Sequence, residues 1–232
     1  ASVPDSIKNP RKTHKVNVQG TKLLLESSAV AGLKKFVFAS TCAVYGDPAR
    51  LPVSESDDTN PLSPYASSKL RGEEMCKAYS RRFARGATIL RFFNVYGPRQ
   101  ERSAYSTVIT SFLDELGAGE TPLIYGDGLQ TRDFIYVTDV VKAIVLGLAK
   151  ERGGEAYNIG RGEETSIIDL VHAIGKVLHA KKVQSRFDEP REGDIRRSFA
   201  DVRKARTGLG FNPRVTLELG LRKMLAGNLA RS

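Results

Sequence analysis

The chain has 232 residues and is 41% hydrophobic, enough for one large α/β domain, or a domain with a small lobe, around a packed core. No apolar run approaches a membrane span, "ASVPDSIKNPRKTHKV" at the start lacks a signal-peptide core, and Cys42 and Cys76 lack zinc-ligand spacing; a reduced, cytoplasmic setting without a bound metal is expected. The net charge of +10 suits either an anionic partner, such as a phosphate ester or a nucleic acid, or a plain solvated basic surface.

Taken in chain order, "RKTHKVNVQGTKLLLESSAVAG" carries apolar residues at helical spacing and Gly32 as a stop, and predicts one long helix. "KKFVFAST" is a short run of β-formers and predicts a buried strand. "ARLPVSESDDTNPLSP" is a polar, proline-containing loop. The pattern from Tyr65 to about Phe83 is helical, and "ATILRFFNVYG" is a second buried strand running into a loop. "YSTVITSFLDELGAG" is a helix with a glycine stop, and "PLIYGDGLQTRDFIYV" reads as two strands around a Gly-Asp-Gly turn. "TDVVKAIVLGLAK" is a helix with Thr138 as its expected N-cap; "EAYNIG" is a strand; "SIIDLVHAIGKVLH" is a helix capped by Thr165 or Ser166. A basic, polar segment around Arg191 leads into two short helical stretches, near Asp201–Leu209 and Thr216–Leu229. Alternating strands and helices predict an α/β fold: a mainly parallel, Rossmann-like sheet with helices on both faces.

The stretch "SPYASSKLRGEE" holds a tyrosine four residues before a lysine at a helix start. Residues i and i+4 share a helix face, so Tyr65 and Lys69 point the same way. A free phenol titrates near 10, and a nearby ammonium favours the phenolate, so the pair can serve as a proton shuttle for an alcohol. With eight tyrosines in the chain this spacing is weak evidence by itself and fits an ordinary surface pair. Thr41, however, lies where the "FVFAST" strand ends, and open α/β sheets place ligands at their strand C-termini.

Thr41, Tyr65 and Lys69, with "AVYG" between them, resemble the catalytic set of the extended short-chain dehydrogenase/reductases. More narrowly, the chain is similar to their NAD-dependent nucleotide-sugar epimerases, the UDP-glucose 4-epimerase-like branch. "NVQGTKLLLESS", "LRFFNVYGPRQ", "IYGDGLQTRDFIYVTDVV" and "PREGDIRRSFAD" resemble the branch's other motifs, in its order and over essentially the whole chain. The resemblance implies a Rossmann-like NAD-binding part over residues 1–100 and a mostly substrate-binding lobe over 101–232, with about 130–150 returning to the first. It implies Tyr65 as acid/base on the sugar 4-hydroxyl, Lys69 holding the nicotinamide ribose and lowering the tyrosine pKa, and Thr41 hydrogen-bonding the same sugar oxygen. Asn17 and the backbone near Phe92 would border the nicotinamide. Asn94 would meet the diphosphate region, Tyr125 the uracil, Arg132 and Arg191 the diphosphate, and Asp194 the uridine ribose. Ser198 would lie beside the sugar's 2-substituent, where a small residue goes with tolerance of an N-acetyl group. Guanidinium forks match phosphate geometry, and an aromatic ring offers a face to a base.

One family feature is missing. A Gly-rich turn that follows a strand and opens a helix, with an acidic residue about 20 positions on, is not found. "GDGLQT" is followed by a predicted strand and "GRGEET" lacks the third glycine. The chain therefore resembles an N-terminally truncated member, expected to expose apolar faces and a sheet edge and to bind NAD poorly alone. The expected function is NAD-dependent 4-epimerisation of a UDP-hexose, plain or N-acetylated, through a transient 4-keto sugar, by an enzyme that is a homodimer when full length. A dehydratase on this scaffold would carry an Asp-Glu pair after the threonine, where Cys42 and Ala43 stand; a decarboxylase is less firmly excluded. A non-catalytic nucleotide- or RNA-binding member is the remaining alternative, although the basic stretches lack interleaved aromatics.

Overall fold

The computed structural model describes residues 2–83, 86–100, 108–150, 153–180, 182–191 and 193–229. Two short helices open it, α1 (Val3–Lys8), whose Ser2 cap accepts from the Asp5 N–H, and α2 (Pro10–His14). The long helix expected from residue 11 is interrupted. A π-helical turn, Lys15–Gln19, joins α2 to α3 (Gly20–Val30), and it carries Asn17. Such turns insert a residue and re-aim the side chains around it, which periodicity does not reveal.

Strand β1 (Lys35–Thr41) lies parallel to β2 (Gly86–Phe92), and β2 lies parallel to β7 (Ala156–Ile159), in the order β1-β2-β7. β1 and β7 are the two edges of this sheet among the described residues. α4 (Pro64–Phe83) packs with α3 on one face around Leu25, Phe38, Cys76 and Ile89. α6 (Val137–Ala149) and α8 (Arg203–Leu209) cover the other face around Leu90, Val140, Tyr157 and Phe211. Side chains alternate across a strand, so Ile89 and Leu90 enter opposite cores. The expected Rossmann-like arrangement, a parallel sheet with helices on both faces, is what forms. Exposed apolar side chains remain on α3 (Leu23, Leu24, Val30) and α6 (Val141, Val145, Leu148).

A separate core gathers α5 (Val108–Gly117), α7 (Ile167–Val177) and α9 (Leu217–Leu229) around Tyr96, Phe112, Leu170 and Leu221. The start of the predicted helix at 105–107 lies outside the described residues. Short strands surround this core: β3 (Asn94–Tyr96) pairs β6 (Phe134–Tyr136), β4 (Leu123–Tyr125) pairs β9 (Arg186–Asp188), and β5 (Thr131–Arg132) pairs β8 (Thr165–Ser166).

Two local expectations are corrected. The strands flanking Gly126-Asp127-Gly128 do not pair with each other, because the turn, with both glycines at φ 74°, sends each strand to a distant partner. Thr138 is not the N-cap of α6, since β6 runs directly into the helix and Tyr136 is the flanking residue. Ser166 does cap α7, accepting from the Asp169 N–H at 3.0 Å.

Candidate active site

The site begins at the C-terminal end of β1. Thr41 ends the strand, and its Oγ1 accepts from the Ala43 N–H at 3.2 Å, starting the 3₁₀ turn Cys42–Tyr45. Opposite lies the first turn of α4. Pro64 starts this helix with φ preset, and the Ser63 hydroxyl accepts from the Ala66 N–H at 3.1 Å. Gly72 lets the helix approach β1 closely: a Cβ there would sit 2.3 Å from the Phe38 ring. That approach brings the Lys69 ammonium to the Ala39 carbonyl at 2.9 Å, 5.3 Å from the Phe38 ring centroid and 5.8 Å from that of Tyr65.

The Thr41 side chain lies near the Tyr65 phenol and favours its ionised form. Burial raises the phenol above its ordinary value, against the pull of Thr41, with Cys42 adding a smaller push in the same direction. This is opposite to the direction expected from the Lys69 spacing. The lysine itself is lowered by burial. The Asn17 amide donates to Ser68 Oγ at 2.9 Å, and Ser68 in turn donates to the Tyr65 carbonyl at 2.7 Å, so the π turn is tied to the tyrosine's own helical turn. Phe92 is the register partner of Thr41 on β2.

A second group lies in a cleft of about 520 Å³ lined by Asn94, Tyr125, Arg132, Arg191 and Asp194, together with Gln130. The Arg191 guanidinium stacks 4.0 Å from the Tyr125 ring centroid. Arg132 is ion-paired with Asp194 and donates to the Thr131 and Ile195 carbonyls at 2.7 Å each. The structure thus pairs two residues that the sequence reading had assigned to different parts of a ligand. Ser198 does not line the cleft; it is buried, near Cys42, the neighbour of Thr41. Burial pushes the Cys42 thiol up to about 11, and the Arg132 charge opposes this, so Cys42 lies electrically between the two groups.

Three features escaped the sequence reading. Gln130 donates to the Tyr125 carbonyl at 2.7 Å and leaves its buried Oε1 without a partner among the described residues. Glu73 and Arg91 form a buried ion pair, 2.7 Å, beneath the site. Asp133 is buried in a cage of three backbone donors, Arg161 (2.7 Å), Gly162 (2.9 Å) and Ala200 (3.1 Å). Burial still outweighs those donors and raises its carboxyl to about 6.

That shift has a stability consequence. The folded pKa lies above the unfolded value of about 3.9, so Asp133's contribution is fully present below pH ~4 and is lost as pH rises through about 6. Wild type and Asp133→Asn are expected to diverge by about 2–3 kcal/mol over that window, wild type losing ground as pH rises. Denaturant melts of both at pH 4 and pH 7 measure it; a pH-independent difference would contradict the raised carboxyl.

Among the described residues no group of His, Cys, Asp and Glu could hold a metal, and no helix is long and apolar enough to cross a membrane. The turn at Gly126 leads to β5 rather than to a helix, so it is no pyrophosphate cradle. The half-buried Lys69 ammonium has donors beyond the one given to Ala39, and it stands beside the phenol; these residues fit the nicotinamide-ribose end of NAD.

Comparison with known proteins agrees with this geometry. Residues 1–160 match the model of the NAD dependent epimerase/dehydratase family. The chain is 41% identical over 225 residues to a putative UDP-glucose 4-epimerase of Methanocaldococcus jannaschii, covering 97% of this chain and 72% of that protein. It superposes with a TM-score of 0.95, at 34% identity, on UDP-N-acetylglucosamine 4-epimerase from Methanobrevibacter ruminantium in complex with UDP-N-acetylmuramic acid, covering 100% of this chain and 74% of that one. UDP-glucose 4-epimerase from Thermotoga maritima, solved with UDP-glucose, gives 0.94 at 36% identity over 100% of this chain and 75% of its own. With Thr41, Tyr65 and Lys69 gathered at the end of a parallel strand, and with these matches spanning most of its length, the chain belongs to the NAD dependent epimerase/dehydratase family, among the nucleotide-sugar epimerases.

Proposed function

We propose that the protein is a UDP-hexose 4-epimerase. The observation that carries this reading is the placement of the Tyr65 phenol near Thr41 at the end of β1, with Lys69 on the same helix face. NAD, when bound, supplies hydride acceptance and return at the sugar C4. Lys69 and Asn17 hold its nicotinamide-ribose end, with the backbone at Phe92 bordering it. Tyr65 takes the proton from the 4-hydroxyl and gives it back, while Thr41 orients the same oxygen. Tyr125, with Arg191 stacked on it, supports a face for the uracil; Asn94, Arg132 and Arg191 hold the diphosphate, and Asp194 holds the uridine ribose. A cytoplasmic homodimer is part of the same proposal, resting on the free Cys42 and Cys76 and on the exposed Leu23 and Leu24 of α3.

The test is a nucleotide-sugar assay with NAD supplied. UDP-glucose and UDP-galactose are expected to reach one mixture from either side. Release of CO₂ from a uronic sugar, or no interconversion, would overturn the reading.

The small residues Ser198 and Cys42 beside Thr41 support acceptance of N-acetylated hexoses as well. Ser198→Tyr should suppress UDP-GlcNAc turnover while largely sparing UDP-glucose, since overfilling a packed site costs about 1–3 kcal/mol. Equal losses for both sugars would remove Ser198 from the role of gate.

A further inference from the structure

Behind the catalytic residues runs an unbroken buried polar chain. Ser40 donates to Glu73 Oε1 at 2.5 Å. Arg91 meets the same carboxylate through Nε at 3.0 Å and Nη2 at 2.7 Å, and through Nη1 it donates to the Tyr45 hydroxyl at 2.8 Å. Tyr45 donates onward to Asn158 Oδ1 at 2.7 Å, and the Asn158 amide donates to the Val53 carbonyl at 2.8 Å. Ser40, Glu73, Tyr45, Arg91 and Asn158 are all buried, with Glu73 and Asn158 at 0% exposure.

The placement of these residues matters more than their number. Ser40, Arg91 and Asn158 are register partners across β1, β2 and β7, in the row directly before Thr41, Phe92 and Ile159. Glu73 lies two helical turns beyond Tyr65 and one beyond Lys69 on α4, about 12 Å along the axis from the tyrosine. Tyr45 closes the 3₁₀ turn that begins at Thr41. Each catalytic side chain therefore has a member of the buried chain next to it on its own segment. Burying an ion pair rarely stabilises a fold more than apolar packing of the same shape would. It is directional, however: a bidentate guanidinium–carboxylate pair fixes how far a helix slides along a sheet.

We propose that Ser40, Glu73, Arg91 and Tyr45 are positioning residues that set α4 against the end of β1 and so hold the Tyr65 phenol close to Thr41. The proposal rests on the epimerase reading only for its kinetic consequence. The geometric part stands without substrate.

Two variants test it. Ser40→Ala removes one hydroxyl and leaves the ion pair intact. Glu73→Met with Arg91→Met removes both charges together and leaves neither unpaired. Tyr65 is replaced by 3-fluorotyrosine, whose lower phenol pKa keeps its titration where the protein stays folded, and the fluorine resonance is followed against pH. Thr41, Cys42 and Lys69 are the polar groups facing that phenol. In both variants the phenol is expected to titrate at higher pH as Thr41 draws away from it. With UDP-glucose, kcat should fall about tenfold in Ser40→Ala and about 100-fold in the double variant, with KM within threefold. Wild-type kcat and an unchanged fluorine titration in Ser40→Ala would overturn the proposal whatever the fate of the double variant. A double variant that recovers wild-type kcat with a stable fold would reduce the chain to a structural filler. If the wild type fails to turn over UDP-sugars, the function reading falls, and the fluorine titration alone still decides the positioning.

Discussion

Tyr65→Phe is expected to lower kcat for interconversion of UDP-glucose and UDP-galactose by about 10²–10⁴-fold and to leave KM near the wild-type value. The substitution removes one oxygen. The ring keeps its place under Lys69, and Thr41 keeps its bond to the Ala43 N–H, so the local fold has no reason to change. What disappears is the group proposed to carry the proton. Thr41 does not replace it, because an aliphatic hydroxyl is far too weak a base at neutral pH. Initial rates from both sugars measure the effect, and thermal melts confirm that the fold is intact. A variant within tenfold of wild type would take the acid/base role away from Tyr65.

Arg91→Met is expected to be the most destabilising single change at the polar centre of the molecule. It leaves the Glu73 carboxylate at 0% exposure with Ser40 as its remaining side-chain partner. Breaking one side of a buried ion pair costs about 3–5 kcal/mol, a large part of a total stability of about 5–15 kcal/mol. For a chain of this size that corresponds to a fall in Tm of about 6–20 °C. The deficit should shrink at acidic pH. A carboxylate buried without its counter-charge is relieved by taking up a proton, so the variant recovers stability at low pH and loses it again as pH rises. Circular-dichroism melts at pH 5 and pH 8 test both statements. A Tm within 2 °C of wild type at pH 8 would show that water or rearrangement satisfies Glu73.

Much of the fold was legible before any coordinates, because it depends on local periodicity. The β-formers from Lys35 to Thr41, the apolar spacing of α7 with its Ser166 cap, and the alternation of strands and helices are each visible within a window of about 15 residues. The interruption at Lys15–Gln19 was not, because a π turn is compatible with an unbroken helical pattern. The pairing of β4 with β9 was hidden for a different reason: Leu123 and Arg186 are far apart in the chain, and only the path of the intervening α7 brings them together.

At the site, the helical period alone determined that Tyr65 and Lys69 share a face, and the end of a run of β-formers marked Thr41 as lying at a strand C-terminus. Tertiary structure decided the rest. A signal for the buried pair did exist, since Arg91 interrupts the apolar run "ATILRFF" and Glu73 stands one turn after Lys69. Sequence could not match the two, because the pairing depends on how α4 crosses β2. The same reason governs the phenol. Its lysine neighbour is written in the sequence and argues for a lowered pKa, but burial, which depends on every element packed around the ring, raises it. Spacing along one helix names the side chains that can meet; how much water surrounds them is set by the remaining chain, and that decides their charge.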